Sequence, residues 1–380
     1  MGSIKIDTKE FKKILKLSQE FSEHSHNQSS AVLIKGSPSP TFLMVTDHNQ
    51  ITVRPNSAVS QPSPDYVFNP TLLERCTFTN KQVELKYVDA KSPITILDGK
   101  LTTTLRASLN MQFEGELPAV PPQISIPIDV FMAVCRFSEI PCSYTKMNSD
   151  QIGINFEDNK GFLKIYTTDG YSMLQIETNI PTPGGFSICI PTYVIRCFAN
   201  AIEVKNDTAP VSIGVDGYRV CLDHPQVSVI ATAKADETVF DFDEIMAKQL
   251  NNITASCSFE PKAFLSNLKP LANLIPPKDK SGPFIVFEFR DDKGYLSLKH
   301  KDIGEAVHEG VDGITNLKFE KNLKACHTNL HVQAAVDYTG LLDGEPALMY
   351  LSGRAMYYEI KPKYGSHELK CKFMFPSVSL

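Results

Sequence analysis

The sequence lacks the features that mark several protein classes. No run of about 18 apolar residues occurs, so we expect no membrane-spanning helix. Met1–Lys5 lacks the apolar core of a secretory signal, so we expect a cytoplasmic protein. The nine cysteines are scattered and form no Cys-x-x-Cys pair, which argues against a disulfide framework and against a zinc site.

Strong basic charge and catalytic motifs are also missing. The formal net charge is −5, so any surface that faces DNA must be a local one. No glycine-rich phosphate loop, Gly-x-Ser-x-Gly elbow or His-Glu-x-x-His helix occurs. We therefore predict a non-catalytic protein that needs neither cofactor nor metal, and an enzyme is the least favoured class.

What the sequence does contain is a repeated pattern of a short strand, a turn, one amphipathic helix and a ladder of strands. It is clearest where Ile124–Pro127 leads into a helix at Ile128–Glu139, and where Ser187–Pro191 leads into Thr192–Glu203. We count six such βαβββ units, the sixth being the weakest. A chain built from one repeated unit carries its function in shape and surface.

The repeats group into three domains of two units each. At 380 residues the chain exceeds the size of a single core. Breaks are predicted at the proline-rich segment Glu116–Gln123 and near Ala247–Asn252, which gives domains 1–120, 121–250 and 251–380. The segment Asn316–Asn329 is interpreted as an insertion.

The remaining periodicity completes an α+β prediction. Lys9–Phe21 places apolar residues on one helical face, and further helices are predicted at Thr71–Cys76, Pro261–Leu274 and Asp337–Asp343. Asp98-Gly99 and Asp216-Gly217 are typical of the turn between two hairpin strands.

Four phrases resemble one family, the beta subunit of bacterial DNA polymerase III, which is a processivity sliding clamp. Ile165–Leu174 (IYTTDGYSML) resembles the family's strand that ends in Thr-Asp-Gly-His-Arg-Leu, and Phe113–Leu117 lies where a domain-closing phrase usually stands. Ser187–Pro191 with Val211–Val215, and the C-terminal Phe373–Leu380 (FMFPSVSL), are also similar to family phrases. The order of elements is kept along the whole chain.

The resemblance implies a fold and a function. The fold is three tandem clamp domains, each of two βαβββ units, with sheets outside and helices lining a ring. The function is to encircle duplex DNA as a head-to-tail homodimer at the replication fork, without reading its sequence. Polymerase and clamp loader would dock through short apolar peptide motifs. The alternative is a clamp-fold interaction scaffold that does not encircle DNA.

A sliding protein needs only diffuse phosphate attraction. Helix Lys9–Glu20 places its lysines opposite the apolar stripe, and other basic residues lie on or beside the other helices. The predicted DNA-facing residues are Lys9, Lys12, Lys13, Lys16, Arg75, Arg136, Arg196, Lys205, Lys262 and Lys269. The alternative interpretation is an ordinary solvated helix face.

The family's peptide pocket implies a second set of residues. Matching positions are Thr168, Gly170, Tyr171, Ser172, Met173, Phe242, Ile245, Met246, Asp337, Gly340, Phe373, Met374, Phe375, Pro376 and Val378. The alternative is that Phe373–Phe375 is simply an edge strand with alternating core residues. Tyr171-Ser172 replaces the family's His-Arg, and Gly340 stands where the family has Tyr, so we expect an altered peptide preference.

The dimer contact is predicted at a strand edge. Strand Lys100–Ala107, with Thr103 and Leu105, would meet the last domain of a second copy near Leu274 and Ile275. Edge-to-edge pairing between subunits uses an otherwise exposed ladder of backbone groups.

Overall fold

The structure is a computed structural model of the chain. It describes residues 2–23, 32–36, 39–45, 49–61, 64–70, 73, 76–89, 91–106, 117–142, 153–168, 172–205, 207–233, 242–251, 253–274, 284–300, 304–319, 323–328, 347–351 and 355–376. In this part of the chain, strands far outnumber helices.

The described helices number five. They are α1 (Thr8–Glu23), α2 (Ile128–Cys142), α3 (Thr192–Ala201), α4 (Phe242–Leu250) and α5 (Pro261–Ala272). α5 shows how the sequence sets a helix start: the Glu260 carboxylate accepts a hydrogen bond from Ala263 N at 2.7 Å, and Pro261 occupies the first turn. A cap acceptor followed by proline is a favourable N-terminus.

Strands β1–β17 occupy the first 232 residues. They are β1 (Gly2–Asp7), β2 (Val32–Lys35), β3 (Thr41–Val45), β4 (Gln50–Val53), β5 (Val59–Ser60), β6 (Tyr66–Phe68), β7 (Gln82–Tyr87), β8 (Ile94–Asp98), β9 (Leu101–Leu105), β10 (Ile124–Ile126), β11 (Gly153–Asn159), β12 (Phe162–Thr168), β13 (Met173–Pro181), β14 (Ser187–Pro191), β15 (Val211–Asp216), β16 (Arg219–His224) and β17 (Val227–Thr232).

Strands β18–β28 follow. They are β18 (Ala255–Phe259), β19 (Phe284–Arg290), β20 (Lys293–His300), β21 (Gly304–Glu309), β22 (Ile314–Phe319), β23 (Leu323–Thr328), β24 (Ala347–Leu351), β25 (Ala355–Ile360), β26 (Lys363–Tyr364), β27 (His367–Glu368) and β28 (Lys370–Pro376).

The chain forms two compact units. The first comprises Met1–Met132 with Ile188–Ala235. It contains a five-stranded sheet in the order β5-β1-β7-β8-β9 and an eight-stranded sheet in the order β10-β15-β16-β17-β4-β3-β2-β6. β4 and β17 pair although they are far apart in the sequence, with Val53 opposite Val227. Helices α1 and α3 pack against each other.

The second unit comprises Ala133–Ser187 with Asp236–Leu380. Its largest sheet runs β11-β12-β13-β28-β25-β24-β18-β22, a separate sheet runs β21-β20-β19-β23, and β26 pairs with β27. The last long strand, β28, therefore lies between β13 and β25 and is not an edge strand of the described structure.

Comparison with the predicted elements gives agreement and two errors. The helices at α1, α2, α3 and α5 and both Asp-Gly hairpin turns are confirmed, and the turn glycines Gly99 and Gly217 have φ of 62° and 58°. The prediction of an insertion at Asn316–Asn329 was wrong, because β22 pairs with β18 and β23 pairs with β19. Helix α4 was not predicted. The helix expected at Asp337–Asp343 and most of Thr71–Cys76 lie outside the described residues.

Two further findings concern only the described residues. None of their helices has the length and apolar character needed to cross a membrane. No group of three or more His, Cys, Asp or Glu side chains among them could hold a metal ion.

Candidate functional site

One face of the largest sheet in the second unit carries a row of apolar side chains across four strands. Met173 of β13 lies opposite Met374 of β28, Met374 lies opposite Tyr357 of β25, and Tyr357 lies opposite Tyr350 of β24. Directly opposed residues point to the same face of a sheet. The row therefore forms one continuous strip, and sulfur and aromatic rings make favourable contacts within such strips.

Neighbouring side chains complete what we call the Met–Tyr patch. Its buried members are Tyr166, Met173, Ala355, Tyr357 and Met374, and Ile245 and Tyr350 pack against them while partly exposed. Burial raises the pKa of Tyr357 well above that of a free tyrosine. The pKa of Tyr350 is also raised, mainly by burial and to a smaller extent by the negative charge of Glu359. Both phenols therefore stay neutral at physiological pH.

Beside the patch, the same face carries a polar row. Gln175 lies opposite Lys372, and the Lys372 ammonium contacts the Glu177 carboxylate at 3.0 Å. Gln175 Nε2 donates to Glu177 Oε1 and to Asp243 Oδ1, each at 3.2 Å. Among the described residues, the buried Gln175 Oε1 has no hydrogen-bond partner. Such an acceptor is costly unless a donor reaches it.

Helix α4 lies on this face, and among its described side chains Ile245 and Asp243 attach it. Ile245 packs on the Met–Tyr patch, and Asp243 accepts a hydrogen bond from Lys164 Nζ at 3.0 Å. The Lys164 bond, outweighing burial, lowers the pKa of Asp243. Burial lowers the pKa of Lys164, but the bond and charge of Asp243 and the charge of Glu157 outweigh it, so that the pKa is raised. The ion pair is therefore fully charged at neutral pH.

The structure brings together only some of the residues predicted for the peptide pocket. Met173, Met374 and Ile245 meet in the patch, and Thr168 lies opposite Met173, with its hydroxyl donating to Ser172 O at 2.8 Å. Phe242 and Met246 lie in α4, and Pro376 ends β28. Gly170, Tyr171, Asp337, Gly340 and Val378 lie outside the described residues.

Phe373 and Phe375 do not join the patch. They alternate with Met374 along β28 and so point to the opposite face, where Phe373 contacts Phe137 of α2 with ring centroids 5.7 Å apart and Phe375 contacts Tyr358 at 6.0 Å. Both are core residues, as the alternative interpretation had it, although β28 is an internal strand. The sequence order Phe373-Met374-Phe375 was the signal, because alternate residues of a strand point to opposite faces.

The sequence did not predict four of the seven residues of the Met–Tyr patch, namely Tyr166, Tyr350, Ala355 and Tyr357, or the polar row beside it. Tyr166, Tyr350 and Tyr357 lie in β12, β24 and β25, and their register with β13 and β28 depends on pairing between distant segments. Asp243 was missed together with α4. Its signal was the helical spacing of Phe242, Ile245 and Met246.

Comparison with known proteins identifies the fold. No protein-family model and no curated protein sequence matches the chain. Solved structures do. The DNA polymerase sliding clamp of Bacillus subtilis matches with a TM-score of 0.77 and 14% identity, over 100% of this chain and 99% of that one. The beta subunit of DNA polymerase III from Thermotoga maritima matches with a TM-score of 0.74 and 14% identity, over 100% of both chains.

A third match is the DnaN sliding clamp of Bartonella birtlesii, solved with griselimycin bound, with a TM-score of 0.76 and 14% identity over 100% of both chains. The chain has the sliding-clamp fold. The resemblance noted in the sequence is thereby confirmed at the level of fold.

The predicted DNA-facing residues occupy the helices of the clamp fold and their flanks. Eight of these residues are exposed and lie on α1, α2, α3 and α5 or in the segment after α3; the eight are Lys9, Lys12, Lys16, Arg136, Arg196, Lys205, Lys262 and Lys269. Lys13, also on α1, is half-buried. Lys12 Nζ donates to Phe78 O at 3.1 Å, and the Lys16 ammonium lies 3.4 Å from the Glu20 carboxylate. Arg75 lies outside the described residues.

The edge strands of the clamp fold carry opposite charges. β9 ends the five-stranded sheet, with exposed Lys100 and Arg106 flanking it. β21 ends the four-stranded sheet of the second unit and carries exposed Glu305 and Glu309 on either side of exposed Val307.

The residues predicted for the dimer contact are differently placed. Thr103 is half-buried and Leu105 is buried in β9. Leu274, just past α5, is 46% exposed. Ile275 lies outside the described residues.

Proposed function

We propose that the protein is a DNA sliding clamp, a non-catalytic processivity factor that encircles duplex DNA and tethers a replicative polymerase. The observation that carries this proposal is the full-length likeness in fold to bacterial sliding clamps. A fold by itself does not fix function, so the proposal also rests on the surfaces that this chain presents. Three clamp domains, 1–120, 121–250 and 251–380, belong to the proposal.

The DNA contact is proposed at the helices. α1 exposes Lys9, Lys12 and Lys16 on one face, and α3 and α5 add exposed basic residues. Exposed lysines attract phosphates without contacting base edges, which suits a protein that must slide. The net charge of −5 then requires the acidic excess to lie elsewhere on the surface.

The partner site is proposed at the Met–Tyr patch. An extended peptide that binds here would place an apolar side chain against Met173, Met374 and Tyr357, in place of Ile245 of α4. A backbone or side-chain N–H of the peptide would satisfy Gln175 Oε1, the unpartnered acceptor beside the patch. Methionine-rich surfaces adapt to several peptides, which suits exchange between polymerase and clamp loader.

The homodimer is proposed at the edges of β9 and β21. Pairing β9 of one copy with β21 of a second copy would satisfy two open rows of backbone groups and place Lys100 and Arg106 near Glu305 and Glu309. A contact between two different edges is head-to-tail, and two such contacts close a ring.

Retention on DNA of different topology tests the function. The protein is loaded on nicked circular duplex with a clamp loader, passed through a sizing column in high salt, and compared with the same DNA cut once. Retention on the circle with loss from the linear form is expected, because enclosure does not depend on phosphate contacts. Equal loss from both contradicts encirclement, and it favours the scaffold alternative if partner peptides still bind.

A further inference from the structure

A cleft in the first unit is not used by the function proposed above. α1, the end of β4, the segment that follows α3 and the turn between β16 and β17 enclose a cavity of about 400 Å³. Its floor is aliphatic: Ile14, Val53, Ala201 and Ile202 line it and are themselves almost fully buried. The volume falls in the range of small-molecule sites, which are mostly apolar with a few placed polar groups.

The Glu10 carboxylate at the cleft is already satisfied by the protein. It accepts hydrogen bonds from Asn56 N and Ser57 N, each at 3.0 Å, and a further one from the Ser57 hydroxyl. A carboxylate with three donors has little capacity left for a cation. Glu10 thus shapes the cleft and is not free to bind a ligand.

The Arg54 guanidinium is likewise engaged. It donates to His224 O at 3.2 Å and to Ser228 Oγ at 3.1 Å, and it lies 3.7 Å from the Asp223 carboxylate. These contacts hold Arg54 on the sheet. The charges left to act on a ligand are those of Lys9, Lys13 and Glu203, which line the same cleft.

Lys9 and Lys13 are one helical turn apart on α1, so their side chains are neighbours. Among the described residues, neither ammonium group has a hydrogen-bond or ion-pair partner. Lys13 is half-buried, and burial lowers its pKa although the charges of Glu203 and Glu10 act to raise it. An ammonium that loses water without gaining an acceptor is destabilised, and an anion placed beside it removes that penalty.

We propose that this cleft binds a small aliphatic carboxylate, with its acid group between Lys9 and Lys13 and its carbon chain on the floor of Ile14, Val53 and Ile202. The charged side chains among the described residues of the lining are Lys9, Lys13, Arg54, Glu10 and Glu203. Their charges sum to +1, which matches a monoanion. None of the described residues that line the cleft is aromatic, so they offer no platform for stacking a nucleobase.

Binding there has a consequence that rests on the proposed function. Lys9 is one of the proposed DNA-facing residues, and Lys13 is among those predicted from the sequence, so a bound carboxylate would compete with DNA phosphates for them. Binding of the carboxylate itself is independent of DNA and can be measured in its absence. Failure of the cleft proposal therefore leaves the clamp proposal untouched, and the reverse holds as well.

Octanoate is the probe, titrated by calorimetry into the full chain and into two matched double variants. Lys9→Gln with Lys13→Gln removes the cleft's ammonium groups, whereas Lys12→Gln with Lys16→Gln removes the same charge from α1 outside the cleft. We expect the affinity for octanoate to fall by about tenfold or more in the Lys9, Lys13 variant and to change less than about twofold in the Lys12, Lys16 variant. The reason is that a hydrogen bond to a charged group changes a dissociation constant by about 10- to 100-fold.

Three outcomes overturn the proposal: unchanged affinity in the first variant, equal losses in both, or binding of 1-octanol as tight as that of octanoate. Circular dichroism verifies that both variants are folded. If the first variant does not fold, Val204→Glu replaces it, because it adds a carboxylate at the exposed rim and keeps both lysines. Weaker octanoate binding to Val204→Glu supports the site, and unchanged binding refutes it.

Discussion

Reversing the charges of one edge strand should weaken the proposed dimer. The variant Glu305→Lys with Glu309→Lys changes two exposed side chains of β21 and no buried contact. The Glu305 carboxylate lies 4.0 Å from the Lys299 ammonium, and both side chains are exposed, so the fold of the second unit should tolerate the change. In the dimer, both lysines would face the basic flanks of β9, namely Lys100 and Arg106.

The magnitude follows from the exposure of these groups. Exposed ion pairs contribute about 0.2–1 kcal/mol each. Replacing two attractions by two repulsions of similar size should therefore cost about 1–4 kcal/mol per contact, which raises the dissociation constant of that contact by about 5-fold to several hundred-fold. The effect should shrink in high salt, because these charges are screened within about 10 Å at moderate ionic strength.

Sedimentation velocity over a dilution series, in low and high salt, measures the change. The reciprocal variant, Lys100→Glu with Arg106→Glu, should weaken the dimer to a similar extent. Combining all four substitutions in one chain should restore it, because each edge then meets its complement again. Rescue of this kind is a double-mutant argument that a loss of folding cannot imitate.

Two results would refute the reasoning. One is a Glu305→Lys, Glu309→Lys protein that dimerises like the original in low salt. The other is a four-charge protein as weak as either pair alone. Glu244→Lys with Glu368→Lys is the control, since it makes the same charge change in the second unit on exposed residues of α4 and β27.

Three further predictions concern contacts within the two units. Asp243→Asn should loosen the attachment of α4, which amide exchange measures as faster exchange in that helix. Because the pKa of Asp243 in the folded protein is lowered, the attachment of the wild-type helix should persist from neutral pH down to about pH 4. It should then be lost as the pH falls through the lowered pKa. Met374→Ala should lower the free energy of unfolding by about 2–4 kcal/mol in urea titration and weaken peptide binding. Gly214→Ala should destabilise the first unit by more than about 1 kcal/mol, because a Cβ there would collide with Pro121 O.

Each of these has a control within the chain. Glu244→Gln removes an exposed carboxylate of α4 that pairs with Lys248 one helical turn away, and it should leave amide exchange nearly unchanged. Equal acceleration in both variants contradicts the role of Asp243. Met132→Ala, at a half-buried position in α2, should cost less than Met374→Ala. Gly184→Ala, where nothing lies near the added methyl, should be close to neutral.

Local features of this fold could be predicted from the sequence because local physics determines them. Asp98-Gly99 and Asp216-Gly217 form hairpin turns because glycine adopts the positive φ that such turns need. α1 follows from a stripe of Phe11 and Ile14 opposite its lysines.

Long-range features could not be predicted in this way. Met374 meets Met173 across strands about 200 residues apart in the chain, and a shift of one residue in register would have placed Phe373 there instead. α4 was missed because Ile245 and its apolar neighbours were interpreted as pocket residues in the stretch between two domains. The Asp243–Lys164 attachment joins positions 79 residues apart, and no periodicity marks it.

The pairing of β4 with β17 determines where this chain can be divided. The sequence suggests cutting at residue 120, but that cut separates Val53 from Val227 and Arg54 N from Gln226 O, its partner at 2.8 Å. A fragment of residues 1–120 would end its sheet at a bare β4, and its complement at a bare β17. Unpaired apolar strands of this kind associate with one another. Dissection at the repeats should therefore yield aggregates, whereas coexpressed halves should reassemble through this seam.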